Sequence, residues 1–470
     1  MKEEEDFIED AELRNILDRY EHMIRDKRVV YFDVYQFERI IDYYLDGDLF
    51  SQAINAVDIG IQQHPSSNVL LLKKAEVLAE KGDTARAISI LTDLEKVEYS
   101  NSELYILKGM IYNQMGNVRK AEKSFEKALS LYAESLEDIL HDIAHSFEHI
   151  HQYKLAVKYL KRAYEINPEK LSLIYDLANC YEKLQEFNRS IEYYKIYLDL
   201  EPFSESVWFN LGLVYIKMEE YDKAIDAYDF ALAVNDKYAS AMLNKAIALS
   251  HSGQYADAIE VYNEFVDLEP DNVIAWCFLG ECYEKLQQWQ KAIRHYNYAL
   301  KLDDEFSEAW YGLAVCYLNM EKYRDALSCA LKAVEIDDEN SDYWYTLGKI
   351  RIYLEEYRDA TAAFSKATKI DPYDSEAWLN LAELGNILSG PKQAISVLKE
   401  SYIYNFDVAE INYLMAGYYC LLGEKVMIYQ FFQEGLKLSY NKHHLTFDLC
   451  PEIRNDKKIL TLLSDYKSKS

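Results

Sequence analysis

The sequence predicts an all-α solenoid of antiparallel helix pairs. Two observations carry this reading. Trp208, Trp276, Trp310, Trp344 and Trp378 lie 68, 34, 34 and 34 residues apart, and self-similarity at such a period marks a stacked repeat. The composition is helical as well: the chain is half hydrophobic over 470 residues yet holds only 15 Gly and 7 Pro, few for a chain of strands and turns. Length alone suggests about three ordinary domains, and the period replaces that with one array. Its apolar content is enough to build a core, which excludes disorder for most of the chain.

The first element is a helix over residues 6–26, with Phe7, Leu13, Ile16, Leu17, Tyr20 and Ile24 on one stripe. It reads as a cap over the first repeat's open face, with a docking helix for a partner as the alternative. Repeats then start at 34, 68, 102, 137, 171, 205, 239, 273, 307, 341, 375 and 409, with one extra residue near 136. Their eighth residue is small in eleven of the twelve, for example Gly109, Gly280, Gly348, Ala75 and Ala314, and their twentieth is Ala in ten, for example Ala53, Ala224 and Ala292. Small residues there let two helices approach closely, and large residues at positions four, eleven and twenty-four fill the remaining space. Gly82, Gly116, Gly253 and Gly423 mark the turn inside the pair, where a helix C-terminus wants a left-handed residue. Pro65, Pro168, Pro202, Pro270 and Pro372 share the thirty-second position and end the second helix. A last helix begins near Pro451 and turns Ile459, Leu460, Leu462 and Leu463 back onto the array, with Lys457, Lys458, Lys467 and Lys469 outward. The domain plan is thus an N-terminal capping helix in 1–33, a solenoid over 34–442 and a C-terminal capping helix in 443–470, with residues 1–5 and 466–470 mobile.

This pattern resembles the tetratricopeptide repeat (TPR) family, as in Trp310-Leu313-Ala314-Tyr317, Ala326 and Ala333. The resemblance covers about twelve repeats and implies a right-handed superhelix that binds proteins or peptides. First helices line the concave side of such a stack, and the resemblance implies that positions 2, 5, 6, 9, 12 and 13 face its groove. The fifth position gives Tyr175, Phe209, Tyr311, Tyr345 and Tyr413, aromatic contact area suited to peptides. Asn179 is at the ninth position, and Asn210, Asn244 and Asn380 at the sixth form a broken ladder that could read a peptide backbone. Lys183, Lys217, His251 and Lys285 at the thirteenth could guide an acidic peptide. The family's clamp for chaperone tails needs Lys at position five and Lys or Arg at position two, and no repeat here has either. Competing plain readings are that the aromatics tile the seams between repeats and that the cations favour helix C-termini.

The net charge of −29 disfavours direct nucleic-acid binding and docking on anionic membranes. No run of about 18 apolar residues is present to cross a bilayer, and the acidic start at Met1 carries no secretory signal. Seven scattered Cys without a CxxC pair read as reduced, buried thiols, which places the chain in the cytoplasm. His141, His145 and His149 recur at every fourth residue on one helix face, with Asp138 and Asp142 nearby. Two such His can hold a metal ion, and clustered His can sense pH; the plain reading is a polar groove wall, and no metal is assigned. The repeat consumes every segment of useful length, and no phosphate loop, GxSxG or HExxH motif is present. The sequence therefore predicts a non-catalytic interaction scaffold without cofactor. The alternatives are an acidic regulatory subunit that sequesters a basic or nucleic-acid-binding partner, and a metal or pH sensor at the three His.

The phasing is testable. Ala292→Leu should overpack one helix pair and cost roughly 1–3 kcal/mol. A variant that melts like the parent would place the helix phase of that repeat wrong.

Overall fold

A computed structural model describes residues 2–131 and 136–467, with side chains from residue 12 onward. Phe7 of the N-terminal stripe, Lys469 and the extreme terminal residues lie outside the described side chains, as does part of the region holding the extra residue. The chain forms two compact units, Met1–Met218 and Glu219–Ser470.

The first unit runs α1 (Lys2–Asp26), α2 (Val34–Asp46), α3 (Phe50–Gln63), α4 (Asn68–Glu80), α5 (Thr84–Leu94), α6 (Ser102–Gln114), α7 (Val118–Leu131), α8 (Leu136–His149), α9 (Tyr153–Ile166), α10 (Leu171–Lys183), α11 (Phe187–Leu200) and α12 (Glu205–Lys217). The second runs α13 (Tyr221–Val234), α14 (Ala239–His251), α15 (Tyr255–Leu268), α16 (Val273–Lys285), α17 (Trp289–Leu302), α18 (Ser307–Asn319), α19 (Tyr323–Ile336), α20 (Ser341–Tyr353), α21 (Tyr357–Ile370), α22 (Ser375–Ser389), α23 (Pro391–Ser401), α24 (Ala409–Leu421), α25 (Lys425–Leu438), α26 (His444–Leu449) and α27 (Lys457–Lys467). Short 3-10 turns occupy Tyr440–Lys442 and Pro451–Asn455. No strand occurs among the described residues. Within each unit a helix packs chiefly on its neighbours in the chain, and first helices of adjacent repeats also touch, as α6 with α8 and α16 with α18.

The pairs close because the eighth residue is small. A Cβ on Gly280 would sit 2.8 Å from the Tyr296 ring, and one on Gly348 the same distance from Phe364. Tyr296 also lies over Gly312 of the next repeat, so one buried ring spans two first helices. Ala53, Ala224, Ala292 and Ala360 on the second helices are fully buried. The repeating Trp has a further task. Its indole Nε1 donates to a loop carbonyl six residues upstream: Trp208 to Pro202, Trp276 to Pro270, Trp310 to Asp304, Trp344 to Asp338 and Trp378 to Pro372, at 2.8–3.0 Å. Each bond satisfies an orphan carbonyl beyond a second helix and fixes the entry to the next repeat.

The turn inside each pair holds the left-handed residue the glycines indicated, and it is broader than glycine. Asp48, His151, Gln185, Glu219, Gln287, Glu321 and Glu355 take the same place with φ between 54° and 60°. A non-glycine residue there costs roughly 1–2 kcal/mol, so the packing on both sides imposes the conformation.

At the N-terminus Ile16, Leu17, Tyr20 and Met23 of α1 are buried against Phe32, Phe37, Ile40, Ile41 and Tyr44. Met23 takes the inward place, and Ile24 is 41% exposed. The C-terminal segment is more broken than a single capping helix. Pro451 opens a 3-10 turn, and Asp456 caps α27 by accepting from the Ile459 amide. Ile459 is fully buried, whereas Leu460 is half exposed.

The cysteines require a correction. Cys420 of α24 and Cys450 are joined by a disulfide, with Cα atoms 6.3 Å apart. The segment after α25 folds back on α24: the Thr446 hydroxyl donates to the Tyr413 carbonyl, and Leu449 packs over Gly417. That return brings together two residues whose 30-residue separation gave no hint of pairing. Cys180, Cys277, Cys282, Cys316 and Cys329 are free and buried.

Gly312→Ala should destabilise the second unit by roughly 1–3 kcal/mol, because the Tyr296 ring cannot withdraw. Gly253→Ala, at φ +82° with nothing within 4 Å, should lose only the backbone preference, about 1 kcal/mol. Denaturant midpoints that reverse this order would remove the ring-on-glycine contact as the cause.

Candidate functional site

Aromatic residues at position five reach across the seam to the first helix of the next repeat. Tyr175 on α10 shows how. Its hydroxyl accepts from Asn210 Nδ2 on α12 at 3.0 Å, and its ring rests edge-on against Tyr194 and Tyr197 of α11. Asn179 Oδ1 accepts from the Tyr194 hydroxyl at 2.9 Å. In the second unit Tyr345 of α20 donates to Glu376 Oε2 of α22 at 2.8 Å, with its ring edge against Phe364. Tyr311 of α18 stacks on Tyr343 of α20 at 4.9 Å. Burial pushes the Tyr311 and Tyr345 hydroxyls above their ordinary pKa, so both stay protonated. Phe209 is half-buried on α12. Tyr413, by contrast, is fully buried in the second unit's core.

The Asn residues differ among themselves. Asn210 is committed to Tyr175, whereas Asn244 and Asn380 donate Nδ2 back to the carbonyls of Ser240 and Glu376 on their own helices, each at 2.8 Å. The cations also part company. Lys217 Nζ lies 2.5 Å from Glu182 Oε1 of the preceding repeat, and Lys183 is exposed at the end of α10. His251 stacks on Tyr221 at 5.5 Å. His251 and Lys285 line one cavity of about 280 Å³ with Phe278 and Glu281. Lys183 and Lys217 stand in the first unit, His251 and Lys285 in the second.

Among the three His, the structure keeps two and exchanges the third. His141 Nε2 is 2.5 Å from Asp176 Oδ2 on α10, and His145 Nε2 is 3.6 Å from the same oxygen. His149 is exposed at the end of α8, outside this group. Asp138 instead accepts from Lys170 at 2.9 Å. Partial desolvation raises the Asp142 carboxyl from its ordinary pKa, against the pull of His141 and His145.

One feature escaped the sequence. Lys108, Lys120, Lys123 and Lys127 gather with Tyr105 and Tyr112 around a cavity of about 390 Å³ on α6 and α7. Lys108 is nearly buried, and its ammonium pairs with Glu95 at 2.5 Å and holds that carboxyl below the usual range. Lys120 and Lys127 lie over the Tyr112 and Tyr105 rings, at 5.3 and 5.9 Å. The spacing of Lys120, Lys123 and Lys127 on one helix face was the available signal.

Family models agree with this architecture. Models described as tetratricopeptide repeat match residues 101–169, 209–273, 245–304, 284–350 and 341–374. A model described as anaphase-promoting complex, cyclosome, subunit 3 matches 149–231. No curated relative matches the chain. Among solved structures, MamA 41-end from Desulfovibrio magneticus RS-1 is 19% identical, covering 36% of this chain and 97% of that one, with a TM-score of 0.34. A MamA crystal structure is 22% identical, covering 35% of this chain and 97% of its own, with a TM-score of 0.33. With helix pairs recurring every 34 residues and repeat models matching five stretches between 101 and 374, the chain belongs to the tetratricopeptide repeat family.

Proposed function

We propose that this chain is a non-catalytic scaffold that holds a protein or peptide partner along the first helices of each unit, on Tyr175, Asn179, Phe209 and Asn210 in the first and on Asn244, Tyr311, Tyr345 and Asn380 in the second. The observation that carries the reading is that, within each unit, aromatic and amide side chains stand half-buried on the first helices. Rings held by seam contacts are pre-ordered, so a partner that covers them loses little further side-chain entropy. Lys183 and Lys217 in the first unit, and His251 and Lys285 in the second, favour an acidic segment. The match over 149–231 to a model for a subunit of a multiprotein complex supports a place in an assembly.

A second reading rests on the charge of −29. An acidic regulatory subunit would cover a basic or nucleic-acid-binding partner, and its binding would weaken steeply with salt. We place the chain in the cytoplasm on its five buried free thiols. The Cys420–Cys450 bond is then one formed on oxidation.

The test uses two amides that each donate to a carbonyl of their own helix, together with the exposed Lys183. Crosslinked partners captured from native lysate by wild type should be lost, by more than about tenfold, from an Asn244→Ala, Asn380→Ala, Lys183→Ala triple variant with unchanged helicity. Equal capture by both would move the interface off the first helices. Binding abolished by salt alone, with the triple variant silent, would select the acidic-subunit reading.

A further inference from the structure

The first seam of α8 with α10 departs from the pattern next to it. Between α10 and α12, position five is Tyr175 and position six is Asn210, a neutral donor and acceptor that satisfy each other. Between α8 and α10 the same two positions are His141 and Asp176, joined by His145 one turn along α8. One nitrogen from each ring and one Asp176 oxygen all lie within 4.8 Å of one another.

Three potential ligand atoms therefore converge from two helices. Glu148 Oε2 stands 3.3 Å from His145 Nδ1, at the opposite side of that ring from Asp176. With its proton at Nδ1 a neutral imidazole keeps a lone pair at Nε2. His145 Nε2 lies 3.6 Å from Asp176 Oδ2, and His141 Nε2 lies 2.5 Å from the same oxygen. A cation seated among the three atoms would be bound by all of them. The carboxylate behind His145 is also the arrangement that orients a metal-bound imidazole and raises its basicity.

We propose that His141, His145 and Asp176 form a three-ligand site for a divalent transition-metal ion, zinc by ligand type, with its fourth position open. Two imidazoles and one carboxylate suit zinc better than calcium or magnesium, which take oxygen ligands. Ligand atoms at ordinary zinc distances on a tetrahedron stand about 3.3 Å apart. The His145–Asp176 separation is close to that, and His141 and Asp176 need to part by only about 1 Å. His141 and Asp176 keep 15% and 16% of their side chains exposed and His145 keeps 45%, so the ion would be seated from below and reached from one side.

Such an ion would tie one repeat to the next. Its open position would accept a carboxylate, imidazole or thiolate from a bound partner. That last role rests on the scaffold reading, whereas metal binding does not.

The experiment uses full-length, untagged protein stripped with a chelator. Zinc titrated calorimetrically should bind at one equivalent and raise the melting temperature. Cobalt in its place should give the visible absorption of a four-coordinate nitrogen and oxygen site. His141→Ala, His145→Ala and Asp176→Asn should each weaken binding more than about tenfold, and His149→Ala should bind like wild type. No stoichiometric binding, or binding that survives both His141→Ala and His145→Ala in protein with native helicity, overturns the site. Zinc binding that persists when partner capture fails in chelated and loaded protein alike would sink the open-position role and leave the site standing.

Discussion

Everything in this molecule follows from how near two helices can come. At the eighth position a hydrogen or a methyl is all that stands between a first helix and a ring from the second. Tyr296 against Gly280 and Phe364 against Gly348 show the limit of that approach, and Tyr296 meets Gly312 at the sixth position of the next repeat just as closely. Close-packed interiors leave no slack at such points, so the spacing of the pair, the tilt of its neighbour and the phase of the outer face are set together. No pair can bury both its faces alone. Each therefore depends on the next, and stability is distributed as a sum of local couplings.

This explains which parts were readable. Positions eight, twenty and four are dictated by packing, recur with the period, and stand where the sequence put them, as Ala292 and Trp310 do. The glycine turns were readable for the same reason, yet Gln287 and Glu321 adopt the same backbone without glycine, because the flanking helices enforce it. The Cys420–Cys450 bond was unreadable, since it depends on a non-repeating return of the chain onto α24. The lysine cluster around Tyr105 and Tyr112 lies across both helices of a pair, where a scan of single-helix positions does not look.

The candidate site was legible as a row and illegible as a set of bonds. Phase alone placed Tyr175, Tyr311 and Tyr345 on the first helices. It did not show that Tyr175 binds Asn210 or that Tyr345 binds Glu376, because those partners lie one repeat away. The competing reading of these aromatics as seam tiles holds for their hydroxyl ends. The bond that joins two repeats also orders a half-buried ring. The same logic separates His149 from Asp176, since sharing a helix face matters less than meeting across a seam.

The indoles carry one more consequence. Trp276, Trp310, Trp344 and Trp378 each donate an indole N–H hydrogen bond to the loop that precedes them, in four successive junctions of one unit. Their indole N–H resonances are therefore built-in spectroscopic clocks, one per junction, without any added label. Deuterium replaces each proton only as fast as its loop lets go. Read in series, the four signals would time the fraying of the array and reveal from which end it comes apart.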